Sequence, residues 1–191
     1  METLSIHTQS ANLSEEQFFR LCVDNKELRI ERDKNKNIII MSPTGTSTGK
    51  FNAELLGELI IWNKKNKTGY CFDSSTGFLL PDGSMRSPDV SWIAKDRWDG
   101  IPQSEQEKFA PVCPDFIIEI RSKSDTLKQQ KEKMQEWITN GCRLAWLIDM
   151  ENNNTYIYKP NTEIIEQSFT ETLFGESVLS GFELKLNELI N

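Results

Sequence analysis

The sequence predicts a mixed α/β fold, a sheet of both strand directions with helices on either side. Three observations carry this. Residues 48–66 and 124–141 repeat apolar side chains at three- and four-residue spacing, as amphipathic helices do. Short apolar or alternating runs, separated by Gly, Pro, Ser and Asn, fill most of the remaining chain. The second helix lies between two apolar runs, DFIIEI and LAWLID, in the strand–helix–strand order of a crossover. With 191 residues, 37% hydrophobic and 27% charged, the chain has the proportions of one globular domain. Residues 1–191 are therefore read as a single domain, with its core over about 14–160 and a flexible tail over 1–10.

The elements follow in order. Ser14-Glu15-Glu16-Gln17 fits a capping box, and Phe18, Leu21 and Cys22 repeat on one face of a helix ending by Asn25. LRIERD and NIIIMSP, parted by the polar KNKN, form a hairpin closed by Pro43 and Gly45. Phe51, Leu55, Leu59 and Trp62 mark the apolar face of the first long helix. YCFD, GFLLP and SPDVSWIA are β-like, with a turn at Pro81-Asp82-Gly83. A short helix is expected around Ser104–Phe109, then the strand DFIIEI. The second long helix has an N-cap candidate at Ser124 or Asp125, carries Leu127, Met134, Trp137 and Ile138 on one side, and stops at Gly141. LAWLID, a turn at Glu151–Asn154 and TYIYKP give two more strands. The segment from Glu163 suggests one short strand and a final strand or helix.

Composition narrows the chemistry. The net charge is −7, from 22 basic and 29 acidic residues. A nucleic-acid-binding protein usually carries a basic footprint, so non-specific affinity for DNA should be weak. No apolar run approaches the ~20 residues of a membrane helix, and METLSIHTQS lacks a signal pattern, so a cytoplasmic protein without membrane contact is expected. Cys22, Cys71, Cys113 and Cys142 have no CxxC spacing and read as unpaired thiols of a reducing compartment. His7 is the only histidine, which excludes His-based triads and His-rich metal centres. Catalysis would rest on carboxylates, lysines or arginines.

Asp89 follows Pro88 at the start of an apolar strand, and Glu119 interrupts DFIIEIRS. A carboxylate in a central strand is costly unless paired or bound to metal. Glu31, in LRIERD, and Glu54, on the first long helix, could complete a set. Divalent cations held by such carboxylates polarise a phosphodiester for attack by water, and a nearby lysine or arginine offsets the charge that develops. A structural ion pair between Asp89 or Glu119 and Arg121 is the plainer alternative. The Pro-Asp, some thirty residues, then Glu-x-Arg pattern is close to the PD-(D/E)xK nuclease signature, and both halves fall on expected strands.

The segments IERD…IIIMSPTG, FDSSTGFLLPDGSMRSPDVSWI, CPDFIIEIRSKSD, KMQEWITNG and LAWLIDMENNNTYIYKP together resemble the Uma-type putative restriction endonuclease family, part of the PD-(D/E)xK superfamily. The resemblance runs from about Phe18 to Pro160 in the family's order. It implies a restriction-endonuclease-like core, metal-dependent DNA cleavage with Mg²⁺ or Mn²⁺, Asp89 and Glu119 as the motif acids, and Arg121 at the position of the motif lysine. Arginine carries protons poorly, which sets Arg121 apart from a lysine. Related nucleases place a catalytic lysine or glutamine on the following helix, in a Gln-x-x-x-Tyr motif, and Lys133 and Trp137 stand at that spacing on one helical face.

The expectation is a metal-dependent DNA endonuclease with Asp89 and Glu119 as ligands, Glu31 or Glu54 completing the shell, and Arg121 and Lys133 facing phosphate. Five basic residues between Arg121 and Lys133 (Arg121, Lys123, Lys128, Lys131, Lys133) against Asp125 and Glu132 give a local basic surplus. Nucleases that cut both strands often act as homodimers. The rival is a nuclease-fold module that binds nucleic acid or protein without cleaving it.

Overall fold

The computed structural model of the chain describes residues 3–8, 13–122 and 125–190. β1 (Thr3–Ile6) precedes α1 (Glu15–Asp24), whose start is the expected capping box: the Ser14 hydroxyl accepts from Gln17 N, and the Gln17 side chain accepts from Ser14 N. β2 (Arg29–Arg32) and β3 (Ile38–Met41) are the expected antiparallel hairpin. α2 spans Thr46–Asn66. β4 (Gly69–Asp73), β5 (Phe78–Leu79), β6 (Met85–Arg86) and β7 (Val90–Ala94) lead to α3 (Lys95–Asp99) and α4 (Gln103–Gln106). β8 (Phe116–Arg121), α5 (Leu127–Thr139) and β9 (Leu144–Asp149) form the crossover, and β10 (Asn154–Tyr158), β11 (Ile165–Ser168), β12 (Thr172–Phe174), β13 (Glu183–Lys185) and α6 (Leu186–Leu189) complete the chain.

The strands make a five-stranded sheet in the order β1-β3-β2-β6-β5, a six-stranded sheet in the order β11-β10-β9-β8-β7-β4, and the small pair β12-β13. β8 and β9 are parallel neighbours, while β7–β8 and β9–β10 are antiparallel, so the larger sheet is mixed. Alternation along β8 assigns its two faces. Ile118 and Ile120 pack with Phe51, Leu55, Leu59 and Trp62 of α2, whereas Ile117 packs with Met134 and Trp137 of α5. A third cluster, Phe18, Ile30, Ile38 and Met85, seats α1 on the smaller sheet.

Four local expectations need correction. Thr3–Ile6, expected as tail, pairs with β3, and His7 Nδ1 lies 3.1 Å from Asn37 Oδ1. The core does not stop near residue 160: Phe169, Leu173, Leu179, Phe182, Leu184 and Leu186 are buried against α2 and the larger sheet, and Trp62 Nε1 donates to Ser180 O at 3.1 Å. Their irregular spacing across tight turns hides them from periodicity. The short helix expected around Ser104–Phe109 is present as α4 but ends at Gln106, and a second short helix, α3, precedes it unforeseen, both too short to show a helical repeat. Finally, α5 is capped by Thr126, which accepts from Gln129 N at 3.3 Å. The alternative cap Ser124 and the basic residue Lys123 lie outside the described residues.

Candidate active site

A cleft of about 670 Å³ is lined by residues of β2, β3, β6 and β8, by the Ser87–Asp89 approach to β7, and by one face of α5. Both larger sheets therefore contribute to it. In β2, Ile30 faces α1, so its neighbour Glu31 points the opposite way into the cleft. In β8, Glu119 shares the α5 side with Ile117. On α5, Lys133, Glu136 and Trp137 recur at three- and four-residue spacing, which brings all three over that side.

These groups form one buried ion network. Lys133 Nζ lies 2.8 Å from Glu119 Oε1 and 3.6 Å from Glu31 Oε1. Trp137 donates its indole N–H to Glu119 Oε1 at 2.9 Å. Arg86 contacts Glu31 Oε2 at 3.0 Å and grips Glu136 with two bonds of 2.7 and 2.9 Å. Ser87 N donates to Glu31 Oε1 at 3.0 Å. Asp89 accepts from Ile120 N at 2.8 Å, which ties the start of β7 to β8. Glu31, Glu119 and Arg86 are only 2%, 5% and 8% exposed.

Asp89 and Glu119 differ electrostatically from Glu31. Burial pushes the Glu119 carboxyl up to about 7, and the charges of Asp89 and Glu31 add to the shift against the attraction of Lys133. Burial also raises Asp89, against the Ile120 N–H and the positive charges of Lys133 and Arg29. Glu31 is buried as well, but Lys133, Arg86 and the Ser87 N–H outweigh that cost and hold it below the usual carboxylate range. For Lys133, burial disfavours the ammonium, yet Glu119 and Glu31 overcome it and hold the group above the ordinary lysine range. Asp89 and Glu119 thus repel each other and lack full compensation, while Glu31 is already neutralised.

The sequence-derived candidates divide accordingly. Asp89, Glu119, Glu31 and Lys133 come together in the cleft. Glu54 does not: it is exposed on α2 and outside the cleft lining. Nor does Arg121 line it. The parallel register sets Arg121 opposite Asp149, whose fully buried carboxylate takes its Nη1 at 2.8 and 2.9 Å, and Glu151 takes its Nη2 at 2.8 Å. Neither Asp89 nor Glu119 pairs with Arg121, so the plain ion-pair alternative is not what forms. The basic surplus also disperses, with Lys128 beside Glu132 at 4.0 Å and Lys131 over the Tyr156 ring at 4.0 Å. Sequence reasoning missed Arg86, Glu136 and Asp149. Arg86 stands three residues before Asp89, and Glu136 three after Lys133. Proximity to the motif residues was the available signal, since pairing across fifty positions leaves none in a single chain.

Among the described residues no group of three or more His, Cys, Asp or Glu is arranged to hold a metal. Asp89 and Glu119 could supply two carboxylates to a cation, each with one oxygen already engaged as above. Two carboxylates in an open cleft would fit a hard cation such as Mg²⁺ or Mn²⁺, which keeps several waters and completes its shell with substrate oxygens, and not a closed protein cage.

No protein with a curated description matches the chain. A crystal structure described as a putative nuclease belonging to DUF820 from Anabaena variabilis ATCC 29413 is similar in fold, with a TM-score of 0.75 at 21% identity over 93% of this chain and 97% of that one. The profile of the Uma2 family, described as "Putative restriction endonuclease", matches residues 15–187. With the profile spanning nearly the whole sequence and the mixed α/β fold shared with that crystal structure, the chain belongs to the Uma2 family.

Proposed function

We propose that the protein is a Mg²⁺- or Mn²⁺-dependent endodeoxyribonuclease whose cation ligands are Asp89 and Glu119 and whose phosphate-facing cation is Lys133. The observation that carries this reading is the meeting of two undercompensated carboxylates with a half-buried ammonium, 2.8 Å from Glu119, in one open cleft. A bound Mg²⁺ or Mn²⁺ would polarise the phosphodiester and make a water molecule acidic enough to attack it.

The chain's own residues supply the rest. Lys133, held protonated above the ordinary lysine range, acts as a permanent positive charge on the phosphate and not as a proton carrier. Trp137 and Lys133 orient Glu119, and the Ile120 N–H orients Asp89, so both carboxylates are held before substrate arrives. Arg121, spent on Asp149 and Glu151, fastens the ends of β8 and β9. The cleft lining carries eight carboxylates against four basic groups. A phosphate cannot enter such a field on protein charge alone, which favours its arrival together with a cation.

Incubation of supercoiled and single-stranded DNA with the protein in Mn²⁺, Mg²⁺ or EDTA tests this. Nicked, linear or shortened products in either metal and none in EDTA are expected. Intact DNA under all conditions would instead favour a binding module that does not cleave.

A further inference from the structure

Resting on the reading of Asp89 and Glu119 as cation ligands, we infer that Lys133 is a charge with two docking positions, and that Glu31 is the positioning residue which receives it. Its ammonium is closest to Glu119, at 2.8 Å, where it partly fills the role a cation would have beside that carboxylate. Glu31 Oε1 lies on its other side at 3.6 Å, beyond a tight hydrogen bond yet within one small side-chain rotation. When a divalent cation reaches Asp89 and Glu119, the ammonium is repelled from it, and Glu31 is the neighbouring anion that takes it up.

Glu31 is built for this task. Both its oxygens have fixed partners, Ser87 N on Oε1 and Arg86 on Oε2, so it is a poor candidate to turn toward a metal. Arg86 is itself locked by its two bonds to Glu136, one turn along α5 from Lys133. The clamp therefore fixes Glu31 relative to the helix that carries the ammonium. The exchange keeps a buried charge paired in both states, where an unpaired one would be costly. It also keeps Lys133 within the cleft, where its charge can reach a phosphate.

The test is a double-mutant cycle on Mn²⁺ binding, read by calorimetry on the full chain without DNA. Glu31→Gln, which preserves shape, commits Lys133 to Glu119 and should weaken Mn²⁺ binding about tenfold. Lys133→Met should strengthen it. In the Lys133→Met background the effect of Glu31→Gln should shrink to about twofold or less. Equal weakening in both backgrounds would overturn the inference and mark Glu31 as a direct ligand. No Mn²⁺ binding by the unmodified protein would defeat the cation-site reading itself, a separate result.

Selective ¹⁵N labelling of lysine supplies a measurement that requires no change at Glu31. The Lys133 ammonium signal, assigned by its loss in Lys133→Met, should shift during a Mg²⁺ titration and stay protected from exchange. An unmoved signal, or one lost to rapid exchange with solvent, would contradict transfer to Glu31.

Discussion

Glu119→Gln should make the metal-free protein more stable at pH 8 and leave it nearly unchanged at pH 4.5. The substitution preserves shape, and its amide oxygen can still accept from the Trp137 indole. In the native fold the Glu119 carboxyl is pushed up to about 7 from an ordinary 4.5, chiefly by burial. Below pH 4.5 the group is protonated in both folded and unfolded states and has no differential effect. As pH rises from 4.5 to 7 the unfolded chain gives up the proton while the folded one retains it, so stability falls across that window. At 1.36 kcal/mol per unit the full shift corresponds to about 3 kcal/mol, an upper bound because the amide deprives Lys133 of its nearer charged partner. A gain of about 1–3 kcal/mol at pH 8 is therefore expected from urea unfolding in EDTA, measured at intervals from pH 4.5 to 8. Mg²⁺ should restore stability to the native protein and not to the variant. A variant less stable at pH 8, or a native protein as stable relative to the variant at pH 8 as at pH 4.5, would refute the reasoning.

Three further outcomes separate the roles assigned to other residues. Lys133→Ala should lower turnover by roughly 10²–10³, the scale of losing one stabiliser of transition-state charge, as single-turnover cleavage would show. Arg121→Ala should act on stability and not on chemistry. It removes the charged hydrogen bonds on buried Asp149 and should cost about 2 kcal/mol, a fall of about 4–8 °C in Tm by calorimetry, while the remaining folded enzyme keeps its kcat. The thiols of Cys22, Cys71 and Cys113, pushed up by burial to about 11, 12 and 12, should react slowly with a thiol reagent at pH 8. No cysteine among the described residues is in a disulfide, so Tm should be the same with and without reductant.

Local rules carried a large part of this fold. The capping box at Ser14, the β2–β3 hairpin, the apolar stripe of α2 and the β8–α5–β9 crossover all follow from spacing between near neighbours in the chain. Phe169 to Leu186 were illegible because their burial comes from α2, far away in sequence. The candidate site divides in the same way. Asp89 and Glu119 stood out as charges where strands need apolar groups, and Lys133 came from the resemblance, whose Gln-x-x-x-Tyr motif has the spacing of Lys133 and Trp137. Glu54 has equally good helical context, but its face of α2 meets solvent. Arg121 looked like a site residue because alternation puts it level with Glu119. Its true partner, Asp149, is set by the register of β8 on β9, which no local pattern encodes. The pairing of Arg86 with Glu136 was invisible for a similar reason: it is a property of two sheets meeting under one helix.

Crystals of the protein soaked in Mn²⁺ and measured at the manganese absorption edge put the central claim to its most direct test. The account predicts an anomalous peak between Asp89 and Glu119, about 2.0–2.2 Å from an oxygen of each, with waters completing the shell. A soaked crystal with no peak there, or with manganese held only elsewhere on the protein, would contradict it.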